Sequence, residues 1–191
     1  MIAMILADGT IGQMMEPISF EDAEVETYEK PWALTGTNCE RKHNIVNSLY
    51  LKPDELEKKN FERYEKYKAV EENEPMWEEY MMEDAEYCVV AFGIASRVAK
   101  NAVVAARAEG IKVGLIRPIT LWPFPSKALL KAADQVKGFV SVELNMGQMI
   151  EDVRLYTESK KPVALCNRCG GMIPSPDEVL ESIRKAQKGA C

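Results

Sequence analysis

The stretch Tyr87-Cys-Val-Val-Ala-Phe-Gly-Ile-Ala-Ser-Arg97 joins a run of six apolar residues to a glycine and then to an alanine-rich segment that continues to Glu109. A short unbroken apolar run is typical of a strand buried on both faces, and the glycine lets the chain turn into a helix. That helix is predicted to end at Gly110, because glycine is common directly after a last helical turn. This stretch therefore predicts the first strand–helix pair of an α/β domain.

The same alternation continues towards the C-terminus. Three further apolar runs predict strands at residues 111–116, 139–143 and 162–166. The intervening and final segments predict helices at residues 125–136, 148–158 and 175–186. Strands that alternate with helices at this spacing form βαβ units with right-handed crossovers. The predicted fold class is α/β with a mostly parallel sheet.

Residues 1–16 open with an apolar run, Ile2 to Leu6, that predicts a buried strand. A helix is predicted to start near Ile11 and to end before Pro17. A first strand has no earlier strand to pair with. It therefore either pairs with the later domain or belongs to a longer protein, and we favour the longer protein.

Residues 17–85 predict a connector followed by a long amphipathic helix. Pro53-Asp-Glu55 suits a helix start, because proline fits the first turn and acids complement the positive end of the helix. The helix is predicted to reach about residue 82, with an interruption near Pro75. Its apolar side is formed by Leu56, Tyr64, Tyr67, Val70, Trp77 and Met81. Packing across its own domain is the favoured interpretation, and an arm on a partner subunit is the alternative.

Composition and charge exclude several classes of protein. With 191 residues and 47 % hydrophobic residues, the chain can bury a core, so disorder over its whole length is excluded. No apolar run approaches the roughly 20 residues that span a bilayer. Five cysteines do not suggest a disulfide framework, which favours the cytoplasm. The bases of residues 88–191 are scattered rather than clustered with aromatic residues, so nucleic acid is not an expected partner.

The turn Gly93–Arg97 is a weak candidate for an anion site. Free backbone N–H groups at a helix start, together with Ser96 and Arg97, suit a phosphate or a carboxylate. The glycine pattern of a dinucleotide-binding turn and the lysine of a P-loop are both missing. A helix start that only closes the turn explains the same residues and is the more common case.

Other polar residues leave their roles open. Glu143 ends a predicted strand and Asn145 follows it, at the carboxyl edge of the sheet. Three partners are open for these side chains: a ligand, a neighbouring subunit or the adjacent helix N-terminus. Cys166 and Cys169 form a single CxxC pair, which is too few ligands for a structural zinc site. The only histidine, His43, lies in the connector and is expected on the surface.

Some stretches are more specific than these patterns. They are Gly93–Arg97, Gly110–Pro125 with its ending Arg-Pro-Ile-Thr-Leu-Trp-Pro-Phe-Pro, Glu143-Leu-Asn-Met-Gly-Gln-Met149, and Gly170-Gly171 with Ile173-Pro174. Upstream, they are Asp8-Gly9, Gly12–Pro17 and Trp32–Gly36. Over essentially the whole chain, these stretches resemble the alpha subunit of 2-oxoacid:ferredoxin oxidoreductases. The branched-chain (3-methyl-2-oxobutanoate) type is the nearest, followed by the 2-oxoglutarate type.

The resemblance implies a domain order. In this family, a thiamine-diphosphate pyrimidine-binding domain precedes a domain similar to the transketolase C-terminal domain. Residues 1–16 then correspond to the last strand and helix of a truncated pyrimidine-binding domain. Residues 17–85 are the connector and long helix, and residues 86–191 are the transketolase C-terminal-like domain.

The resemblance also implies an activity for the assembled enzyme: oxidative decarboxylation of a 2-oxo acid to acyl-coenzyme A, with reduction of ferredoxin. The cofactors implied are thiamine diphosphate, magnesium and iron–sulfur clusters. The chain alone is expected to bind none of them, to contain no catalytic residue and to be inactive. The partners implied are a beta-type thiamine-binding subunit and a ferredoxin-like subunit. The exposed arm and the unpaired strand also predict a homo-oligomer.

Two functions follow from the sequence. The favoured one is an assembly domain of a thiamine-dependent oxidoreductase that helps to shape its site. The alternative is a free-standing α/β domain that binds a nucleotide or another anion at Gly93–Arg97.

Overall fold

The computed structural model describes residues 3–20 and 27–189. They divide into two compact units, one of residues 3–14 with 68–189 and the other of residues 15–20 with 27–67. All strands of the described chain lie in the first unit. None of the helices in the described ranges is long and apolar enough to cross a membrane.

The described chain contains five helices and five strands, besides a 3-10 turn at Ile11–Gln13. The helices are α1 (Pro53–Asn73), α2 (Gly93–Ala108), α3 (Ser126–Gln135), α4 (Met149–Tyr156) and α5 (Pro176–Gln187). The strands are β1 (Trp77–Tyr80), β2 (Tyr87–Ala91), β3 (Val113–Pro118), β4 (Gly138–Glu143) and β5 (Val163–Asn167). From β2 onwards, every predicted element is present within three residues of its expected bounds.

The five strands form one sheet in the order β1-β3-β2-β4-β5. β2, β3, β4 and β5 are parallel, whereas β1 pairs antiparallel with β3 at one edge. The chain runs from β2 outward to β3 and then returns to place β4 on the other side of β2. The connections therefore diverge between β2 and β4. This is an open α/β sheet, and the predicted mostly parallel sheet is confirmed.

Each face of the sheet is covered by helices. Val89, Val113 and Val140 pack with α2 and α5 on one face. Val90, Ile116 and Phe139 pack with α3 and α4 on the other. Burial on both faces explains why the central strands are continuous apolar runs rather than alternating ones.

β1 was not predicted. Residues 77–80 fall inside the predicted long helix, but they join the sheet and pair with residues 115–118 of β3. α1 already ends at Asn73, and Pro75 follows, a residue that lacks a backbone N–H and disfavours helix in the residue before it. The predicted helix to residue 82 is therefore wrong beyond Asn73, and the sheet begins before residue 86.

α1 and its surroundings lack a core of their own. No residue of α1 is buried, and neither is any described residue between 15 and 67. Exposed large apolar side chains in this range include Phe20, Trp32, Leu34, Ile45, Leu49, Leu51, Leu56, Phe61 and Tyr64. Packing of the helix across its own domain and its alternative, an arm on a partner, both stay predictions.

The N-terminal segment also differs from its prediction. Residues 3–7 are exposed and form no strand, and the expected helix is only the turn Ile11–Gln13. Met1 and Ile2, which belong to the same apolar run, lie outside the described residues. A strand needs a neighbouring strand for its backbone groups. The assignment of residues 1–16 to a pyrimidine-binding domain stays a prediction.

Gly114 of β3 lies against the segment that follows β1, so Gly114→Ala is expected to destabilise the domain. A Cβ at this position would lie 2.6 Å from the Met81 carbonyl oxygen and 2.5 Å from Met82 Sδ. We expect a loss of about 1–3 kcal/mol in the free energy of unfolding, measured by urea denaturation. Gly138→Ala in β4 is the matched control, because its Cβ would have no contact closer than 3.5 Å. Equal losses in the two variants would contradict this account.

Candidate functional site

The carboxyl ends of β2 and β4 define the candidate site. Open α/β sheets bind ligands at the carboxyl edge, where the connections between strands diverge. In this sheet the connections diverge between β2 and β4. α2 and α4 begin there, and the first N–H groups of each helix have no acceptor within the helix.

The N-terminus of α2 receives a carboxylate from far upstream. Asp8 Oδ2 accepts a hydrogen bond from the Ile94 N–H at 3.1 Å. Asp8 Oδ1 accepts hydrogen bonds from the N–H groups of Thr10 and Ile11 at 3.0 and 2.7 Å. One carboxylate therefore satisfies donors in two segments that are 86 residues apart.

Gly93 provides the space for this carboxylate. A Cβ at residue 93 would lie 2.9 Å from Asp8 Oδ2, and its φ of +58° favours glycine. Partial burial raises the pKa of Asp8, but three backbone hydrogen bonds and the positive charge of Arg97 outweigh it and lower that pKa. The environment of Asp8 therefore favours its ionised form.

Ser96 and Arg97, the predicted anion-binding residues, have different surroundings. Ser96 is only 4 % exposed, and its hydroxyl donates a hydrogen bond to the Gly93 carbonyl at 2.7 Å. Arg97 is exposed and interacts electrostatically with Asp8. The anion at the start of α2 is thus the carboxylate of the chain itself. Binding of an external anion by Ser96 and Arg97 stays a prediction, and that anion would compete with Asp8.

Glu143 has the corresponding role at α4. It ends β4 with 1 % of its surface exposed. Its Oε2 accepts hydrogen bonds from the N–H groups of Gln148 and Met149, both at 2.8 Å. Its Oε1 accepts from the Ile150 N–H at 2.8 Å and from Ser141 Oγ at 2.9 Å. Of the three partners left open by the sequence, Glu143 therefore binds the adjacent helix N-terminus.

The loop after β4 is braced by asparagine side chains. Asn145 Oδ1 accepts a hydrogen bond from the Gly147 N–H at 2.7 Å. Asn167 Nδ2, at the end of β5, donates to the Asn145 carbonyl at 2.7 Å. The polar side chains at the ends of β4 and β5 therefore hold neighbouring loops together.

The cysteines and the histidine form no further site in the described part of the chain. Cys166 is buried, which raises the pKa of its thiol, whereas Cys169 is exposed. Across residues 3–20 and 27–189, no three His, Cys, Asp or Glu side chains are placed to hold a metal ion. His43 is exposed, as predicted.

Asp152 is the acid on α4 whose charge the site disfavours. Partial burial raises the pKa of Asp152, and the carboxylates of Glu143 and Glu151 raise it further. Tyr156, one turn further along, stacks on Phe124 with ring centroids 5.4 Å apart. Burial and the charge of Asp152 both raise the pKa of Tyr156. Because the pKa of Asp152 is raised in the folded chain, its ionised carboxylate opposes folding.

Two solved structures share the fold. A 2-oxoglutarate:ferredoxin oxidoreductase from Magnetococcus marinus, with 2-oxoglutarate, coenzyme A and succinyl-CoA bound, matches with a TM-score of 0.58 at 20 % identity. The match covers 71 % of this chain and 24 % of that chain. A split-gene transketolase, described as an inactive beta4 tetramer, matches with a TM-score of 0.53 at 20 % identity, over 59 % of this chain and 41 % of that chain. The chain thus has the α/β fold of these two structures, and the predicted fold class is confirmed.

Sequence comparison identifies more specific relatives. Residues 85–179 match the family model "Pyruvate:ferredoxin oxidoreductase core domain II". Ketoisovalerate oxidoreductase subunit VorB of Methanothermobacter marburgensis is 50 % identical over 183 residues, which cover 95 % of this chain and 51 % of that protein. The chain is thus similar to subunits of 2-oxoacid oxidoreductases, as its motifs predicted. It spans about half the length of the curated relatives it matches.

Glu143→Gln is expected to weaken the start of α4. The amide nitrogen of glutamine cannot accept a hydrogen bond, so at least one of the four donors loses its acceptor. We expect a loss of about 2 kcal/mol in the free energy of unfolding, measured by urea denaturation. Glu181→Gln on α5, an exposed position 3.5 Å from Arg184, is the control and is expected to change stability by less than about 0.5 kcal/mol. Similar losses in both variants would be inconsistent with this role of Glu143.

Asp152→Asn is expected to stabilise the protein in a pH-dependent way. The pKa of Asp152 is higher in the folded than in the unfolded chain, so its charge costs stability as the pH rises through that raised pKa. The melting temperature of the variant should exceed that of the wild type near pH 7. The two should converge at a pH below the ordinary pKa of aspartate, where the group is protonated in both states. An equal stabilisation at both pH values would rule out a charge effect.

Proposed function

We propose that this chain is the part of a 2-oxoacid:ferredoxin oxidoreductase subunit that serves assembly and shapes the active site. The assembled enzyme decarboxylates a branched-chain 2-oxo acid oxidatively to its acyl-coenzyme A and reduces ferredoxin. The observation that carries this proposal is the 50 % identity, over 95 % of the chain, with a ketoisovalerate oxidoreductase subunit. The coenzyme A bound to the related 2-oxoglutarate enzyme supports the acyl acceptor.

The hydrogen bonds at the carboxyl edge support a structural role. The Ile94 N–H of α2 and three N–H groups at the start of α4 are bonded to carboxylates of the chain itself, Asp8 and Glu143. A domain that binds phosphate at a helix N-terminus needs such donors for its ligand. The alternative of a free-standing nucleotide- or anion-binding domain at Gly93–Arg97 is not supported by these bonds.

We propose that the residues described do not hold the cofactors of such an enzyme. Thiamine chemistry requires a carboxylate against the aminopyrimidine and a metal-bound diphosphate. Both oxygens of the buried carboxylate of Glu143 already accept protein donors. Within the described residues there is also no set of three metal-ligating side chains. We therefore assign thiamine diphosphate, magnesium and the iron–sulfur clusters to other domains and subunits of the assembled enzyme.

Exposed apolar surface supports the assembly role. Residues 15–20 and 27–67 bury none of their side chains, although many are large and apolar. Contiguous exposed apolar surface is characteristic of protein–protein contacts. The proposed partners are a beta-type thiamine-binding subunit, a ferredoxin-like subunit and further copies of the chain itself, with α1 lying on a partner. A cytoplasmic location belongs to the same proposal.

Reconstitution tests the proposal. The chain is combined with the beta-type and ferredoxin-like subunits and with a separate chain that supplies the part of the relatives outside the matched region. We expect dye reduction that depends on both 3-methyl-2-oxobutanoate and coenzyme A in the complete mixture, and none when the chain is omitted. The chain alone is expected to be inactive, since the cofactors are assigned to other domains and subunits. 2-Oxoglutarate is tested in parallel, because the 2-oxoglutarate type is the second type that the motifs resemble.

Two outcomes would contradict the proposal. Turnover by the purified chain alone would contradict the assembly role. Failure of the chain to associate with any of these partners in gel filtration would contradict membership of the complex. Calorimetric titration of the isolated chain with ATP separates the alternative function, because the favoured one predicts no binding.

A further inference from the structure

The start of α2 lacks a cap of its own. The residue at the N-cap position, Phe92, has no side chain that can accept a hydrogen bond, and the first turn of α2 contains no acid. Helices are usually stabilised at this end by a polar N-cap side chain or by negative charge in the first turn. α2 therefore needs an acceptor from elsewhere in the chain.

Asp8 supplies that acceptor. Asp8 Oδ2 accepts a hydrogen bond from the Ile94 N–H at 3.1 Å. The negative charge of Asp8 lies at the positive end of the helix and interacts with Arg97. The side chain thus has both properties of an N-cap residue, although it is far from the helix in sequence.

The same carboxylate also organises the segment from which it comes. Oδ1 accepts from the N–H groups of Thr10 and Ile11, which begin the turn Ile11–Gln13. A carboxylate can serve both partners because each oxygen accepts independently. An asparagine has one acceptor oxygen and can keep only one of these two attachments.

Apolar packing holds this segment only weakly. Residues 3–7 are exposed, and the turn Ile11–Gln13 has no buried residue. Among the described residues, the bond between Asp8 and Ile94 is therefore a specific contact between residues 3–14 and the α/β domain. Met4, Ile5 and Leu6, which precede Asp8 in the chain, are all strongly exposed.

We infer that Asp8 is a positioning residue that caps α2 from outside the helix and thereby fastens residues 3–14 to the α/β domain, with Gly93 providing the space. This inference goes beyond the proposed function and does not depend on it. It assigns a role to two residues on the basis of their contacts within the chain. Gly93 is required because a Cβ there would lie 2.9 Å from Asp8 Oδ2.

Amide hydrogen exchange of the full chain, followed by NMR, tests the inference. In Asp8→Ala, the amides of Ile94, Thr10 and Ile11 should exchange about fivefold faster or more, which corresponds to the loss of a typical N-cap. In Asp8→Asn, either Ile94 or the turn should keep its protection, but not both. Amides of β4 should be unaffected in both variants, which shows that the core is intact.

A glycine pair provides the matched control. Gly93 is the first residue of α2, and Gly110 lies two residues beyond its end. Both have positive φ, at +58° and +81°, but a Cβ at Gly110 would meet nothing within 4 Å. Gly93→Ala should accelerate exchange at Ile94 and in residues 10–11, whereas Gly110→Ala should not, although both substitutions strain the backbone. If Gly93→Ala does not fold, the two Asp8 variants still decide the question.

Unchanged exchange at Ile94 in Asp8→Ala would overturn the inference, and so would equal effects of the two glycine variants on Ile94. Because the readout is a local amide of the chain itself, these results are independent of whether the reconstituted enzyme is active.

Discussion

The first N–H groups of a helix have no acceptor inside the helix, and the site described here depends on how two helices satisfy them. α2 uses Asp8, and α4 uses Glu143. Both helices begin where the connections of the sheet diverge. The same two carboxylates also order the chain around them, since Asp8 holds the N-terminal turn and Glu143 holds the start of α4.

This arrangement determines what the carboxyl edge can do chemically. In many open α/β domains the donors at this edge bind the phosphate of a ligand. Here the Ile94 N–H of α2 and the first N–H groups of α4 bind side chains of the chain itself, and these bonds stabilise the fold. In the function proposed above, other domains and subunits hold the cofactors, and this chain contributes surfaces and positioned loops. The exposed apolar side chains between residues 15 and 67 are consistent with this division of labour.

Most of the sheet and its helices could be predicted because their signals are local. Runs such as residues 87–92 are apolar on both faces, and Ser175 with Glu178 forms a capping box at the start of α5. β1 escaped prediction because its four residues, Trp-Glu-Glu-Tyr, continue the helical pattern of the segment before them. These residues form a strand only because they pair with the free edge of β3, almost 40 residues further along the chain. The strand expected at the N-terminus is not formed by residues 3–7, and no described strand pairs with these residues.

By itself, the sequence determined the α/β class, the order of elements after residue 86 and the similarity to 2-oxoacid oxidoreductase subunits, since each depends on residue patterns within short stretches. It also placed Glu143 and Asn145 at the carboxyl edge, but it could not choose among their possible partners. The tertiary structure alone decided that Glu143 binds α4, that Ser96 bonds to Gly93 and that Asp8 caps α2. The cap on α2 joins residues 86 positions apart, so only the folded chain brings donor and acceptor together. For Glu143 and Ser96 the choice among neighbouring partners depends on side-chain direction, which packing sets and sequence spacing does not.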